Sequence, residues 1–386
     1  MEQSQQIADT PCPAVQSVFT ASDGTRLAVH DWPLAQAARA TVLIVHGLGE
    51  HAGRHAALAR RLNAWGYAVR GYDHFGHGQS DGPRGALTSD TRLLDDLAAL
   101  VDATLAALAG PEDLRLSLHE VPREGSAGLR LKLYRRHRDI PLSDVLPLME
   151  NMGLRVISEH PFRLETAQGA RYIQEFEVEP VNGAFDVERL APAFEEAFAR
   201  IWRGDAENDG FNKLVLGAGL AWRQVALLRG YCKYLLQTGV PFSQSYVEET
   251  LNRYPLLARL LVELFEARFD PATGSESKAQ IKEGQDRFAE QLKALAGDDE
   301  AAAKTLAALV EARGGKREQQ IEAAHRALLK LMDRVSSLDD DRILRGFMGA
   351  IEATLRTSFY QRGKDGQPAH TISFKFDSAK VPDLPK

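Results

Sequence analysis

The chain has 386 residues, 44% of them hydrophobic, with 47 Lys and Arg against 53 Asp and Glu for a net charge of −6. That length can bury one or two sizeable cores, and an acidic balance without a basic run argues against a nucleic-acid partner. No apolar stretch approaches the roughly 20 residues of a membrane span, so no membrane partner is expected. Met1 to Thr10 is polar without the charged start and apolar core of a signal peptide. Cys12 and Cys232 are too few and too far apart for a disulfide framework or a zinc site, which suits a reducing cytoplasm.

In chain order, Asp23-Gly24-Thr25-Arg26-Leu27 is a turn signal between alternating apolar stretches and predicts a β-hairpin. Thr41–Val45 is apolar on both faces, as a strand of a parallel sheet is. It runs into His46-Gly47-Leu48-Gly49-Glu50-His51, whose glycines let backbone N–H groups point at a ligand. Arg54 to Ala64 has helical spacing, Tyr67–Tyr72 is the next strand, and Thr91 to Ala109 is a closing helix. This β-α-β-α order calls for an α/β sheet with right-handed crossovers.

The pattern changes near Gly110. Leu129–Tyr134 alternates as a strand, Leu142 to Met152 reads as a helix stopped by Gly153, and Leu154–Ser158 and Arg171–Val178 alternate again. The expected product is a βαββ unit, a small sheet with one helix across it. From Val187 the period is helical, with helices expected at Val187–Trp202, Asn212–Gln237, Ser243–Tyr254, Pro255–Phe269, Ser275–Ala296, Glu300–Ala312, Lys316–Val335 and Asp339–Tyr360. Proline and glycine interrupt them at Gly239-Val240-Pro241, Tyr254-Pro255, Asp270-Pro271 and Gly314-Gly315. The Ala-, Glu-, Lys- and Gln-rich stretch Asp270 to Arg317 reads as solvated helices or a mobile insertion, and His370–Phe376 returns to β.

The HGLGEH stretch (His46–His51) and GHGQSDGPRG (Gly76–Gly85), with their spacing and the helix between, resemble the monoacylglycerol-lipase-like serine hydrolases of the α/β-hydrolase fold. The resemblance implies that the first loop, Gly47 and Leu48, is oxyanion-hole-like, with the Leu48 main-chain N–H as a donor. Such a donor stabilises a tetrahedral intermediate only opposite a nucleophile. The family's serine elbow follows the helix that ends here near Ala109, and no such elbow follows, so the loop is read as vestigial and no residue is assigned a catalytic role. Gly78-Gln79-Ser80-Asp81-Gly82 spells G-x-S-x-G, but it lacks the strand-turn-helix context of an elbow and Pro83 comes at once. Ser80 and Asp81 are therefore read as residues that shape a loop. His46, His51, His55, His74 and His77 match none of the usual zinc spacings, and no metal site is expected.

Four stretches, Leu131–Phe162, Phe211–Pro255, Ser337–Gln361 and Ser373–Pro385, resemble the large bacterial NAD-specific glutamate dehydrogenase in the family's own order. The resemblance implies an ACT-like domain and then a helical region, both ahead of the catalytic domain. The family's glutamate-binding and hydride-transfer residues come after the SAKVPDLP stretch. The chain is therefore expected to hold no cofactor itself, NAD belonging to the parent family. Gly217-Ala218-Gly219 breaks the G-x-G-x-x-G fingerprint and is read as small residues that let two helices approach. Phe211, Trp222, Tyr231 and Tyr234 are expected in the core.

The expected architecture is mixed α and β: an incomplete α/β-hydrolase segment over 1–110, an ACT-like βαββ domain over 111–185, a helical region over 186–362 and the severed start of a dehydrogenase catalytic domain over 363–386. The functional expectation is a non-catalytic part of a glutamate dehydrogenase, with a serine hydrolase and an ACT-type binding or assembly module as alternatives, the last by analogy of fold. The strand that flanks Thr41–Val45 in hydrolases is missing. Its apolar edge then predicts self-association, and a dehydrogenase catalytic part is the other expected partner.

Overall fold

The computed structural model describes residues 14–21, 23–34, 38, 40–97, 99–100, 114–123, 126–136, 138–166, 169–181, 183, 185–273, 277–363, 366–369 and 371–381. Met1–Thr10, Cys12 and the second half of the predicted Thr91–Ala109 helix lie outside them. The chain divides into two compact units, Met1–Asp113 with Arg163–Arg171, and Leu114–Phe162 with Tyr172–Lys386.

The first unit is a four-stranded sheet in the order β1-β2-β4-β3, with β1 Val15–Thr20, β2 Arg26–Trp32, β3 Ala40–Val45 and β4 Tyr67–Tyr72. The predicted hairpin is there: β1 and β2 pair antiparallel, and Gly24 takes the positive φ of 85° that the turn demands. β3 and β4 are parallel, joined by a crossover through the Ala56–Ala64 helix. Trp32, Ile44, Ala59 and Val69 bury between sheet and helix, while Leu27, Val29, Tyr72, Phe75 and Leu100 form a second small core. Among the described residues β3 has β4 as its one strand partner, so it stands at the sheet edge rather than at a centre.

The second unit opens on the sheet β5-β6-β8-β7, formed by Leu114–Arg123, Ser126–Arg136, Gly169–Pro180 and Leu154–Thr166. The βαββ expectation lacks its first strand. β5 folds back on β6 in a ten-pair antiparallel hairpin, from Leu114 opposite Arg135 to Arg123 opposite Ser126. Leu114, Leu118, Leu129, Leu131, Leu133, Phe176 and Val178 are buried and join the core made with the Leu142–Asn151 and Val187–Trp202 helices. Between β6 and β8, Lys132 pairs with Glu175 at 2.8 Å and Arg130 with Glu177 at 3.4 Å, cross-strand pairs of opposite charge.

The helical region continues that core through Trp222–Gln237, Gln244–Arg253, Pro255–Phe269, Lys278–Ala296, Glu300–Ala312, Arg317–Met332 and Leu338–Ala353. Three expectations need correction. Asn212–Gln237 is not one helix: it breaks at Ala218–Ala221, where Gly219 has φ of 63° and Gln224 caps the new helix through the Ala221 N–H. The last helix stops at Ala353, because Thr354–Thr357 leaves to pair as β9 with β10, Phe374–Phe376. The Asp270 to Arg317 stretch is not merely solvated, since Phe288, Leu292, Ala302, Leu306 and Leu309 bury into the core.

Candidate functional site

The loops that follow β3 and β4 meet in the first unit, and Asp73 organises them. Its carboxylate, wholly buried, accepts the Ala52 N–H at 2.8 Å, the Gln79 N–H at 2.9 Å and His30 Nε2 at 3.3 Å. Burial would raise its pKa, but these donors outweigh it and hold the carboxyl below the ordinary range. Gly78 sits at φ 49° directly against the Asp73 carboxylate, and a Cβ there would collide with it. Glycine is thus required for the chain to wrap around the charge.

The histidines form a latch between the two loops. His46 Nε2 accepts the His74 N–H at 2.9 Å, which leaves Nδ1 as the protonated nitrogen, donating to the Gly47 carbonyl at 2.8 Å. His74 Nε2 donates in return to the His46 carbonyl at 2.8 Å. Burial pushes both imidazoles below their usual pKa, in keeping with these neutral tautomers. His77 Nδ1 bonds the Phe75 carbonyl at 2.9 Å. Both ring nitrogens of His46 are engaged with backbone, so it has none left to take a proton from a substrate. Among the described residues, no group of three or more His, Cys, Asp or Glu is placed to hold a metal ion.

Ser80 is buried, and its hydroxyl donates to the Asp73 carbonyl at 2.6 Å while accepting the Ala28 N–H at 2.8 Å. The neighbouring Asp81 accepts the Arg26 N–H at 3.0 Å and returns its own N–H to the Arg26 carbonyl at 2.9 Å. Ser80 and Asp81 therefore fasten the loop to β2, and no base lies within hydrogen-bond reach of the Ser80 hydroxyl among the described residues. Gly47 and Leu48 form an exposed turn, closed by the Glu50 N–H on the Gly47 carbonyl at 3.3 Å, with Leu48 75% exposed.

In the second unit, Gly217-Ala218-Gly219 is a turn between helices. The Gln291 amide, from the Lys278–Ala296 helix, donates to the Ala218 and Gly219 carbonyls at 3.2 and 3.1 Å, and a Cβ at Gly219 would lie 2.6 Å from that amide nitrogen. Phe211 and Tyr231 are buried as expected, Tyr234 stacks on Phe376 at 3.9 Å, and Trp222 sends its indole N–H to Glu196 at 3.0 Å. Two polar sites escape sequence reasoning. Asp340, 1% exposed, accepts from Arg253 at 2.5 Å and from Tyr246 and Thr250 at 3.2 Å each. Arg259 and Glu263 lie buried within a largely apolar helix. Charged residues four apart among leucines were the available signal for that pair.

Known proteins match the chain in separate regions. Residues 36–112 match the family described as serine aminopeptidase, S33. Residues 113–190 match the glutamate dehydrogenase ACT3 domain, residues 206–271 its helical motif 3, and residues 327–386 the catalytic domain of bacterial NAD-glutamate dehydrogenase. The chain thus joins an N-terminal segment similar to α/β-hydrolases to regions similar to those of a bacterial NAD-glutamate dehydrogenase. In particular, the NAD-specific glutamate dehydrogenase of Halomonas elongata is 39% identical over 274 residues, covering 71% of this chain and 14% of that protein. The Pseudomonas aeruginosa dehydrogenase is 38% identical over 291 residues, covering 75% of this chain and 16% of that protein. A monoacylglycerol lipase of Mycolicibacterium smegmatis is 36% identical over 83 residues, 22% of this chain and 30% of the lipase. The chain spans a minor part of the length of each relative.

Proposed function

We propose that residues 114–386 act as the ACT-like and helical portion of an NAD-specific glutamate dehydrogenase, serving its regulation or assembly, and that the chain alone performs no hydride transfer. The observation that carries this reading is the order of the three matched regions, ACT3 domain, helical motif and catalytic-domain segment, along one continuous core. Its partner in that role is a dehydrogenase catalytic part, which holds the NAD. Gly217-Ala218-Gly219 supports the division of labour, because a helical turn precedes it where a dinucleotide cradle needs a strand. A cytoplasmic setting fits the buried free thiol of Cys232, and no described helix is long and apolar enough to cross a membrane. The test is NADH formation from glutamate by the purified chain. The expected result is no turnover above a buffer blank, and clear turnover from protein free of host dehydrogenase overturns the reading.

A second reading concerns assembly of the first unit. The β3 edge is six residues without a charge, and Val45 is 47% exposed. Among the described residues no lysine, proline or bulge guards the row and no strand covers it, which leaves its backbone groups open to another strand. The occupant this favours is β3 of a second copy, since two identical uncharged edges satisfy each other antiparallel about a two-fold axis. Size-exclusion chromatography of the full chain should give a dimer that Val45→Lys abolishes. A wild-type monomer, or a dimer indifferent to the substitution, overturns it.

A further inference from the structure

The Pro255–Phe269 helix is buried around nearly its whole circumference, Leu257, Ala258, Leu260, Leu261, Val262, Leu264 and Phe265 included. Arg259, Glu263 and Glu266 recur at spacings of four and three and make its one polar stripe. Arg259 lies over the Phe288 ring of the Lys278–Ala296 helix at 5.6 Å, and Arg313, from the turn after Glu300–Ala312, lies over the same ring at 4.7 Å. Two guanidinium groups therefore converge on one aromatic ring.

Their carboxylate partners do not use up their donors. Glu263, 6% exposed, serves both: Arg313 reaches its two oxygens at 3.1 and 3.3 Å, and Arg259 reaches it at 3.1 Å. Glu266 lies 3.6 Å from Arg259 and is taken by the Gln224 amide at 2.5 Å. Arg259 is 6% exposed, yet its Nε–H meets no acceptor among the described residues. A guanidinium withdrawn from water with a donor unsatisfied is costly.

Arg259 is among the residues that line a cleft of about 420 Å3, with Arg313, Arg287, Phe288, Gly284 and Gln291 among others. Three arginines line it against one acidic residue, Glu283, which is itself paired with Arg287 at 3.4 Å in the solvent-exposed mouth. Gln291 is committed to the Ala218 and Gly219 carbonyls. Gly284 keeps the wall low: a Cβ there would come within 3.7 Å of Arg313 Nε. The turn that carries Arg313 is anchored by the Gln285 amide on its carbonyl at 2.8 Å.

We propose that this cleft binds a small anion through a carboxylate or phosphate group, its oxygens accepting from the guanidinium of Arg313 above Phe288, with the buried Arg259 side chain turning its unsatisfied Nε–H into the cleft as the anion enters. Planar guanidinium groups match the paired oxygens of either group, and the cleft volume suits a small organic acid. This inference is independent of the dehydrogenase assignment, because its readout is binding alone.

The experiment is calorimetric titration of the full chain with succinate and, separately, with inorganic phosphate, at matched ionic strength. The expected result is saturable one-to-one binding of at least one anion, weakened at least about tenfold in Gly284→Leu and Arg313→Gln and unchanged in Arg326→Gln, an exposed arginine on another helix. Gly284→Leu keeps every charge and favours the helix, so it carries the test even if Arg313→Gln fails to fold. Competition between the two anions for one site assigns the oxyanion as the recognised group. Binding of succinate alone assigns a dicarboxylate, and binding of phosphate alone assigns a phosphate. No saturable binding of either, or binding unaffected in a folded Gly284→Leu chain, overturns the proposal.

Discussion

Ser80 and Asp73 are joined through the Asp73 backbone rather than through its carboxylate: the Ser80 hydroxyl donates to the Asp73 carbonyl at 2.6 Å. The Asp73 carboxylate meanwhile turns the other way, to Ala52, Gln79 and His30. A serine and an aspartate in contact thus make a fastening for the loop and leave no activated oxygen. A fluorophosphonate probe should leave the chain unlabelled. Ser80→Ala should lower the stability of the first unit by about 1–3 kcal/mol, because the buried Ala28 N–H and Asp73 carbonyl both lose their partner. Denaturant titration measures the loss, and stoichiometric labelling that vanishes in Ser80→Ala would show that the hydroxyl is reactive after all.

Asp340 gives the helical region an acid limit. Burial acts to raise its pKa, but the hydrogen bond and charge of Arg253, with the hydroxyls of Thr250 and Tyr246, bring it below the ordinary carboxylate value. A folded pKa below the unfolded one contributes stability above the unfolded value, about 3.9, and loses it as pH falls through the folded value. Melting of the wild-type chain should therefore weaken below about pH 4. Asp340→Asn should be less stable at pH 7 by about 1–3 kcal/mol, as expected where hydrogen bonds to a charge are lost, and the gap should narrow in acid. A gap that stays constant from neutral to acid pH counts against this account.

Cys232 is 1% exposed, and burial pushes its thiol up to about 12. It lies among Leu235, Val247 and Phe347, and burial, with the carboxylates of Glu248 and Asp209, outweighs the pull of Lys233 and Arg229. In a Cys12→Ser chain, a disulfide reagent at pH 8 should find no reactive thiol in the native protein and one after unfolding in guanidinium chloride. Prompt reaction of the native chain would mean that the helices around Cys232 open readily.

Local chemistry sufficed for much of the fold. Asp23-Gly24 dictated the hairpin because glycine takes the positive φ of the turn, and Asp186 set the start of the Val187–Trp202 helix by accepting the Arg189 N–H at 3.1 Å. The change of pattern near Gly110, and the α/β and helical character on either side of it, likewise came from residue periodicity and from stretches that resemble known families. Tertiary partners decided what remained. Thr354–Thr357 continues a helical pattern, yet it becomes a strand because Phe374–Phe376 offers backbone partners and Tyr231 bonds the Thr354 hydroxyl at 2.9 Å. The Leu114–Arg123 strand needed the facing row of β6 to define it. The protonation of His46 depends on an N–H 28 residues away, and the convergence of Arg259 and Arg313 on Phe288 spans three separate segments. Such long-range pairings cost chain entropy and form only when packing brings the segments together, so a local reading of sequence carries no sign of them.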